Sequence, residues 1–363
     1  MPLKLLIVGD AMLPYHVIKQ EFARLETMNV EISGFDWDTG GITQLTHANR
    51  LIEREGPEAV EPPMVLLENI ENMDILAVQY CPIPRKALEL AKNLKVVGIM
   101  RAGIENIDIG AAQKLGIAIL NVRGRNAGAV AEFTLGILLA EVRNIARSHH
   151  CLMKGEWRRK YSNTEFTPNL SGKIFGIIGL GEVGRRLVAL LKGFDTRKIL
   201  LYDPYVSEEV IISLGTEKAS LKQLCEEADF ISVNARLTEE TKHLISGKEL
   251  SIMRPNVFIV NTARAGLIDE KALAQALMRK QILGAAIDVF EDEPLPHNHP
   301  FLELDNITLT PHLAGSTVDS FRYSAQLLAE DLFRLLTGQP INYTTTPEIV
   351  SERNWRRSLG LDT

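Results

Sequence analysis

The chain reads as an α/β protein with two doubly wound parallel-sheet domains and a cleft between them. Three observations predict this. Short apolar runs alternate with helical patterns from end to end, as they do where crossover helices join parallel strands. The 363 residues are enough for two domains, each with its own core. Within the second half, Gly179, Gly181 and Gly184 lie between an apolar run and a helical pattern, as in a dinucleotide-binding βαβ unit.

The first sheet is expected to use Leu5 to Val8, Val30 to Ile32, Ile75 to Val78, Val96 to Ile99 and Ile117 to Leu120. Asn126 to Arg147 then reads as one unusually apolar helix. Its stripes Val130-Phe133-Ile137 and Leu135-Leu138-Val142-Ile145 lie on opposite sides, so both sides should be buried, in a domain core or a subunit interface. The second sheet takes Ile174 to Ile178, Ile199 to Leu201, Phe230 to Val233, Val257 to Asn261, Gly284 to Val289 and Ile307 to Leu309. A last helix, about Thr317 to Leu336, carries the stripe Phe321, Ala325, Leu328 and Leu332 and should fold back on the first domain. The chain would then cross the cleft twice, near Asn121 and near Leu313, which makes a hinge. The remainder, Thr344 to Thr363 with Arg353, Arg356 and Arg357, reads as a polar, loosely docked extension.

Each glycine of the triplet has a physical task. Gly179 permits the tight turn out of the strand, Gly181 lets backbone N–H groups approach a pyrophosphate, and Gly184 lets the helix pack closely. That helix, with Val183, Leu187, Leu190 and Leu191 as its apolar stripe, turns its positive end to the phosphates. Asp203 ends the next apolar run and suits both hydroxyls of the adenosine ribose while repelling a 2′-phosphate. The implied cofactor is NAD rather than NADP.

Composition narrows the partners. With 40 Lys+Arg against 46 Asp+Glu the net charge is −6, too acidic for a phosphate-backbone binder, so nucleic acid is not expected. Cys81, Cys151 and Cys225 show no metal-ligand spacing and leave an odd one out, as in a reducing compartment. The sequence starts on a strand-like run, Leu3 to Val8, without a basic flank or cleavage signal, and no apolar run reaches membrane-spanning length. These features fit a cytoplasmic protein without a metal or a membrane partner.

Arg264, Glu293 and His312 each follow a strand of the second sheet, on the edge where open α/β sheets place ligands. Singly, an Arg or Glu in a loop is ordinarily solvated. Together they supply what hydride transfer to a ketone needs: a proton donor for the carbonyl oxygen, a cation for a neighbouring carboxylate, and an anion to tune the acid. Histidine titrates near pH 6.5 in water, and the planar arginine fork fits a carboxylate better than lysine does.

These residues, with Arg101-Ala102-Gly103, Asn106-Ile107-Asp108, Asn126-Ala127, Val130-Ala131-Glu132, Asn261-Thr262-Ala263-Arg264, Asp288-Val289-Phe290 and Thr310-Pro311-His312, resemble the D-isomer-specific 2-hydroxyacid dehydrogenase family, which includes phosphoglycerate dehydrogenase. The resemblance covers nearly the whole chain. It implies two Rossmann/flavodoxin-like domains: a substrate-binding domain of residues 1–121 plus 317–343, and an NAD-binding Rossmann domain of 122–316, with 344–363 as the extension. It implies that His312 is the general acid/base, Glu293 orients and tunes it, and Arg264 grips the carboxylate and carbonyl of a 2-hydroxy or 2-keto acid; Glu291 is the alternative partner for His312. Family cofactor contacts carry over to Ile104, Gly179, Gly181, Glu182, Val183, Gly184, Asp203, Ala235, Thr262, Ala263, Arg264, Asp288, His312, Ala314 and Gly315. Asp288 would hold the nicotinamide carboxamide. Substrate contacts carry over to Tyr80, Cys81, Ala102 and Gly103, with Arg264 and His312. If the apolar helix around 126–147 serves as a subunit interface, the expected assembly is a homodimer through it.

Departures from the family pattern are few. Arg236 stands where proline is common and Ala265 stands for a frequent glycine, and a regulatory domain after the core is not expected. Arg123 and Arg125 occupy a loop where many relatives carry proline and small residues; they could bind a second anionic group or form salt bridges across the hinge. Two other functions are compatible with the architecture. A formate dehydrogenase is disfavoured because that group carries glutamine where Glu293 stands. A corepressor-like NAD(H) sensor would keep the triad, and the lack of long disordered arms favours the enzyme.

Overall fold

The computed structural model describes residues 2–351 and 353–360. It divides into two compact units, one of Met1–Arg125 with Thr317–Thr363 and one of Asn126–Ser316. The break thus falls at Arg125, a few residues after the expected boundary at Asn121.

The first unit holds a five-stranded parallel sheet of β1 (Leu3–Gly9), β2 (Val30–Asp36), β3 (Ile75–Val78), β4 (Val96–Ile99) and β5 (Ala118–Asn121), in the order β2-β1-β3-β4-β5. Alternation along β1 sends Leu5 and Ile7 into one core layer and Leu6 and Val8 into the other. Because helices cover both faces, the strands read as continuous apolar runs instead of alternating ones. The helix Val318–Leu336 joins the first layer through Ala325, Leu328 and Leu332, all fully buried. Gly98 makes room for it, since a Cβ there would sit 2.7 Å from a Leu328 methyl.

The C-terminal segment departs from the expectation of a loose, polar extension. It forms the helices Pro347–Ser351 and Arg353–Ser358, and Ile349, Trp355 and Leu359 are buried in the same layer as Leu328. Thr344 and Thr346 pin it to β5: Thr344 Oγ1 donates to the Ile119 carbonyl at 2.8 Å, and the Ile119 N–H donates to Thr346 Oγ1 at 2.8 Å. Three apolar residues spread over eleven positions were masked in the sequence by the arginines between them. Residues 352 and 361–363 of the expected extension lie outside the described residues.

The second unit holds seven parallel strands: β6 (Ile174–Ile178), β7 (Lys198–Tyr202), β8 (Glu217–Lys218), β9 (Phe230–Val233), β10 (Phe258–Asn261), β11 (Gly284–Ile287) and β12 (Ile307–Leu309). Their order is β12-β11-β10-β9-β6-β7-β8, so the order reverses between β6 and β9. Phe175, Phe230 and Phe258 are register partners and lie side by side across three strands, with ring centroids 5.9 and 6.0 Å apart.

The single helix expected over Asn126 to Arg147 is two helices, Ala127–Val142 and Ile145–Met153. Asn144 breaks it by adopting a left-handed conformation, φ 57°, and its side chain bonds Asn163 at 2.6 Å and Arg147 at 2.8 Å. Ile145, expected in a buried stripe, is therefore outside that helix and 56 % exposed. Likewise Leu190 of the glycine-loop helix turns out to be partly exposed, while Leu187 and Leu191 are buried. Among the described residues no helix is long and apolar enough to cross a membrane.

Candidate active site

In the second unit the glycine loop leaves β6 at the point where the strand order reverses, the place where open α/β sheets bind ligands. Gly179 has φ 95°, and a Cβ on it would lie 2.7 Å from the Ala235 nitrogen at the end of β9. No other residue fits that turn without moving the neighbouring loop. A Cβ on Gly184 would lie 2.3 Å from the Gly179 carbonyl oxygen, so this glycine seats the helix Glu182–Leu191 on the loop. Gly181 differs: a Cβ there meets nothing within 4 Å, leaving open space over the helix N-terminus. A pyrophosphate approaching the backbone N–H groups needs that space.

Asp203 follows β7 with both carboxylate oxygens aimed at backbone. Oδ2 accepts from the Leu180 N–H of the glycine loop at 2.8 Å, and Oδ1 accepts from the Tyr205 N–H at 2.9 Å. It also lines a depression of about 370 Å³ with Tyr202, Pro204, Glu208, Lys218, Ala219 and Ser220. The carboxylate thus fixes the loop as well as facing the depression.

Arg264 follows β10 and is exposed. Asn261 shapes the turn beneath it: its Nδ2 donates to the Arg264 carbonyl at 2.9 Å and its Oδ1 accepts from the Ala263 N–H at 3.0 Å. Thr262 ties the same turn to the long helix through Thr134, Oγ1 to Oγ1 2.7 Å. His312 follows β12. Its Nδ1 lies 2.8 and 3.0 Å from the two carboxylate oxygens of Glu293, which leaves the opposite ring nitrogen, Nε2, for other work. Glu293 is in turn positioned by the Phe290 N–H, which donates to its Oε1 at 3.1 Å. Glu291, the alternative partner, instead faces His243 at 3.5 Å.

Asp288 is fully buried and organises the turn that carries His312. It accepts from Thr310 Oγ1 at 2.6 Å and from the Leu313 and Ala314 N–H groups at 2.9 and 3.0 Å, while its carbonyl accepts from the His312 N–H at 2.9 Å. These bonds hold His312 at φ 54°, a left-handed conformation that non-glycine residues seldom adopt. Gly315 is confined by Asn126, whose Nδ2 would lie 2.4 Å from a Cβ.

In the first unit, Tyr80 and Cys81 follow β3, and Ala102, Gly103 and Ile104 follow β4. Cys81 is buried, and its carbonyl already accepts from Asn106 Nδ2 at 3.0 Å. Arg101 is turned inward, with Nη2 on Glu53 at 2.7 Å and Glu105 at 3.1 Å and its guanidinium 5.2 Å from the Tyr80 ring. Asp10, at the end of β1, is buried, and burial pushes its carboxyl up to about 6 against the pull of the Met12 and Leu13 N–H groups and Arg125. Below about pH 4 Asp10 is neutral folded or unfolded and imposes no cost; between there and about pH 6 the unfolded chain loses the proton first, so stability falls. At about 1.4 kcal/mol per tenfold in proton affinity, the loss is roughly 3 kcal/mol. Asp10→Asn is therefore expected to leave the first unit relatively more stable at pH 8 than at pH 4 when each is compared with wild type by denaturant unfolding. An identical difference at both pH values would contradict this.

A model of the D-isomer specific 2-hydroxyacid dehydrogenase, NAD binding domain, family matches residues 135–314. Glyoxylate reductase of Thermofilum pendens is 35% identical over 318 residues, 86% of this chain and 93% of that one. The chain belongs to the D-isomer-specific 2-hydroxyacid dehydrogenase family. D-3-phosphoglycerate dehydrogenase of Methanocaldococcus jannaschii is 40% identical over 292 residues, 79% of this chain but 55% of that one, so the match spans little more than half of that relative. The NAD-complexed crystal structure of a D-isomer-specific 2-hydroxyacid dehydrogenase from Lactobacillus delbrueckii ssp. bulgaricus shares the fold, with TM-score 0.72 at 18% identity, covering 94% of this chain and 99% of that one.

The second unit is the family's NAD-binding domain, and its open glycine cradle fits that cofactor. Lys218 adds a counterweight that the sequence reading missed, because it lines the same depression as Asp203 and would attract a 2′-phosphate. Asp203→Ala is expected to erode a preference for NADH over NADPH and to weaken both, since the Leu180 N–H also loses its acceptor. Kinetics with the two cofactors decide it; a wild type that uses NADPH equally well would mean that Lys218 prevails. Asn261 and Thr310 entered the sequence reading only inside the motifs that carry the resemblance, without a role of their own. Asn261 had a signal for its role, an Asn at a strand end before a turn, where its side chain bonds its own backbone; nothing local announced that the Thr310 hydroxyl would bond Asp288.

Proposed function

We propose that this protein is an NAD-dependent oxidoreductase that interconverts a D-2-hydroxy acid and its 2-keto acid, with Arg264, Glu293 and His312 as the working set. The observation that carries the assignment is the Glu293–His312 pair at 2.8 Å, at the end of β12 in a domain built to hold a dinucleotide. When bound, NAD(H) supplies or accepts the hydride. His312 Nε2 gives a proton to the carbonyl oxygen during reduction and takes it back during oxidation. Glu293 holds the ring by Nδ1 and offsets the charge it gains. Arg264 binds the acid's carboxylate and polarises the carbonyl, and Asp288 keeps His312 in place while offering its remaining lone-pair site to the nicotinamide carboxamide. The glutamate at 293 argues against a formate dehydrogenase.

The oligomer we propose is a homodimer built on the second unit. Ile145, Leu152, Met153, Trp157 and Phe166, in and after the helix Ile145–Met153, are between 56 and 81 % exposed, more apolar surface than one stretch of a monomer ordinarily presents. None of the three cysteines is in a disulfide, in keeping with a cytoplasmic location. Turnover of a panel of 2-keto acids with NADH tests the reaction. An enzyme of this class reduces at least one of them stereospecifically to the D-hydroxy acid; loss of the panel activity to baseline at every member would favour an NAD(H) sensor instead.

A further inference from the structure

Taking the reaction above as given, we propose that Arg125, with the Tyr80 hydroxyl, forms a receptor on the first unit for a second anionic group of the substrate, a carboxylate or phosphate other than the carboxylate of the 2-keto acid.

The strand order of the first unit reverses between β1 and β3, so its ligand crevice should open at the carboxyl ends of those strands. Asp10 follows β1 and Tyr80 follows β3. Arg125, which comes after β5, reaches back to this point: its Nη2 donates to the Tyr80 hydroxyl at 3.3 Å and its Nη1 to the Met100 carbonyl at 3.4 Å. It therefore bridges the two segments that lead into the substrate loops, Tyr80-Cys81 and Arg101-Ala102-Gly103. The Phe321 ring, 4.9 Å away, backs the guanidinium.

What is unusual is the company this cation keeps. Its partners are a phenol, a carbonyl and an aromatic ring, all neutral, and among the described residues no carboxylate lies within ion-pair distance. One negative group, Asp10, feels this cation from beyond ion-pair distance; it is buried, bonds the Met12 and Leu13 N–H groups through Oδ1 and keeps Oδ2 without a hydrogen-bond partner. Arg101, one loop away, makes the contrast plain: it is buried and satisfied by Glu53 and Glu105. Both long bonds of Arg125 leave the planar fork free to turn towards an incoming oxyanion, which it can bind bidentately. The Tyr80 hydroxyl, accepting from Arg125, has its own proton left to donate. Arg123 plays no comparable part, as it is exposed and its guanidinium lies 5.7 Å from the Tyr343 ring.

The test compares pairs of 2-keto acids that differ only in the far end: oxaloacetate against 2-oxobutanoate for a carboxylate, and the phosphate ester of hydroxypyruvate against hydroxypyruvate for a phosphate. Steady-state kinetics with NADH and calorimetric binding to the NADH-loaded protein are both read as ratios. Wild type should favour one charged tail by roughly tenfold to a hundredfold, the range of a charge-assisted bidentate bond, and which pair shows it tells carboxylate from phosphate. Arg125→Met should bring that ratio towards one and Arg125→Lys should keep part of it. If Arg125→Met does not fold, Tyr80→Phe is used, with a partial fall in the ratio expected. A ratio unchanged in Arg125→Met, or no preference for either charged tail in wild type, overturns the proposal. Charged-tail discrimination in binding without turnover of any acid would instead count against the oxidoreductase reading and leave the anion receptor standing.

Discussion

Replacing His312 with alanine is expected to lower turnover by about two to four orders of magnitude, the usual share of a positioned acid–base group, while NADH still binds. The separation follows from how the residue is held. Its backbone N–H bonds the Asp288 carbonyl, and the turn around it is fixed by Thr310, Leu313 and Ala314 on the Asp288 carboxylate, none of which involves the imidazole. Removing the ring therefore takes away the proton donor without dismantling the wall of the cofactor site. Fluorescence titration with NADH and single-turnover reduction measure the two effects apart. The backbone at 312 is left-handed, which asparagine tolerates better than most residues, so His312→Asn repeats the experiment with the turn preserved. Substantial turnover by both variants would sink the assignment.

The second large effect concerns stability. Glu141 is fully buried in the long helix of the second unit, and its carboxylate meets Arg147 Nη1 and Nη2 at 2.9 Å each and Thr308 Oγ1 at 2.7 Å. Burial pushes this carboxyl up, and Arg147 pulls it back down. Arg147→Met leaves an uncompensated buried charge and should cost about 3–5 kcal/mol at neutral pH. The loss should shrink as pH falls and Glu141 takes up a proton, because the neutral acid no longer needs a cation. Adding Glu141→Leu to Arg147→Met should recover much of the loss, as replacing a buried pair by apolar groups often does. Denaturant unfolding of the single and double variants measures this cycle; a single variant within about 1 kcal/mol of wild type would mean that Arg147 does not compensate Glu141.

Neither residue of that pair was singled out in the sequence, and the reason is physical. A glutamate in an apolar helix and an arginine six positions on look like solvated charges, and only the break at Asn144 turns the second helix so that Arg147 can reach back. The same break explains why one long helix was expected. Helical periodicity continues through Asn144, and nothing local announces that its side chain will be recruited by Asn163, nineteen positions away.

Local order was legible where a residue's own chemistry dictates its surroundings. Gly179 and Gly184 carry the glycine loop because a Cβ on either would collide with backbone; that constraint belongs to the turn itself and shows in the sequence. The strands could be read because parallel sheets covered on both faces need uninterrupted apolar runs. Arg264, Glu293 and His312 were singled out because each follows such a run, and strand ends gather on one edge of a sheet. The resemblance named Glu293 over Glu291 as the partner of His312, but the residues alone did not separate the two; the turn after Phe290 aims Glu293 at the imidazole and Glu291 at His243. Tertiary structure alone tucked Trp355 and Leu359 into the first core and left Arg125 among neutral partners. Composition and periodicity report what a segment can bury or cradle by itself; the charge balance around a side chain depends on neighbours brought from far along the chain, and only folding sets them.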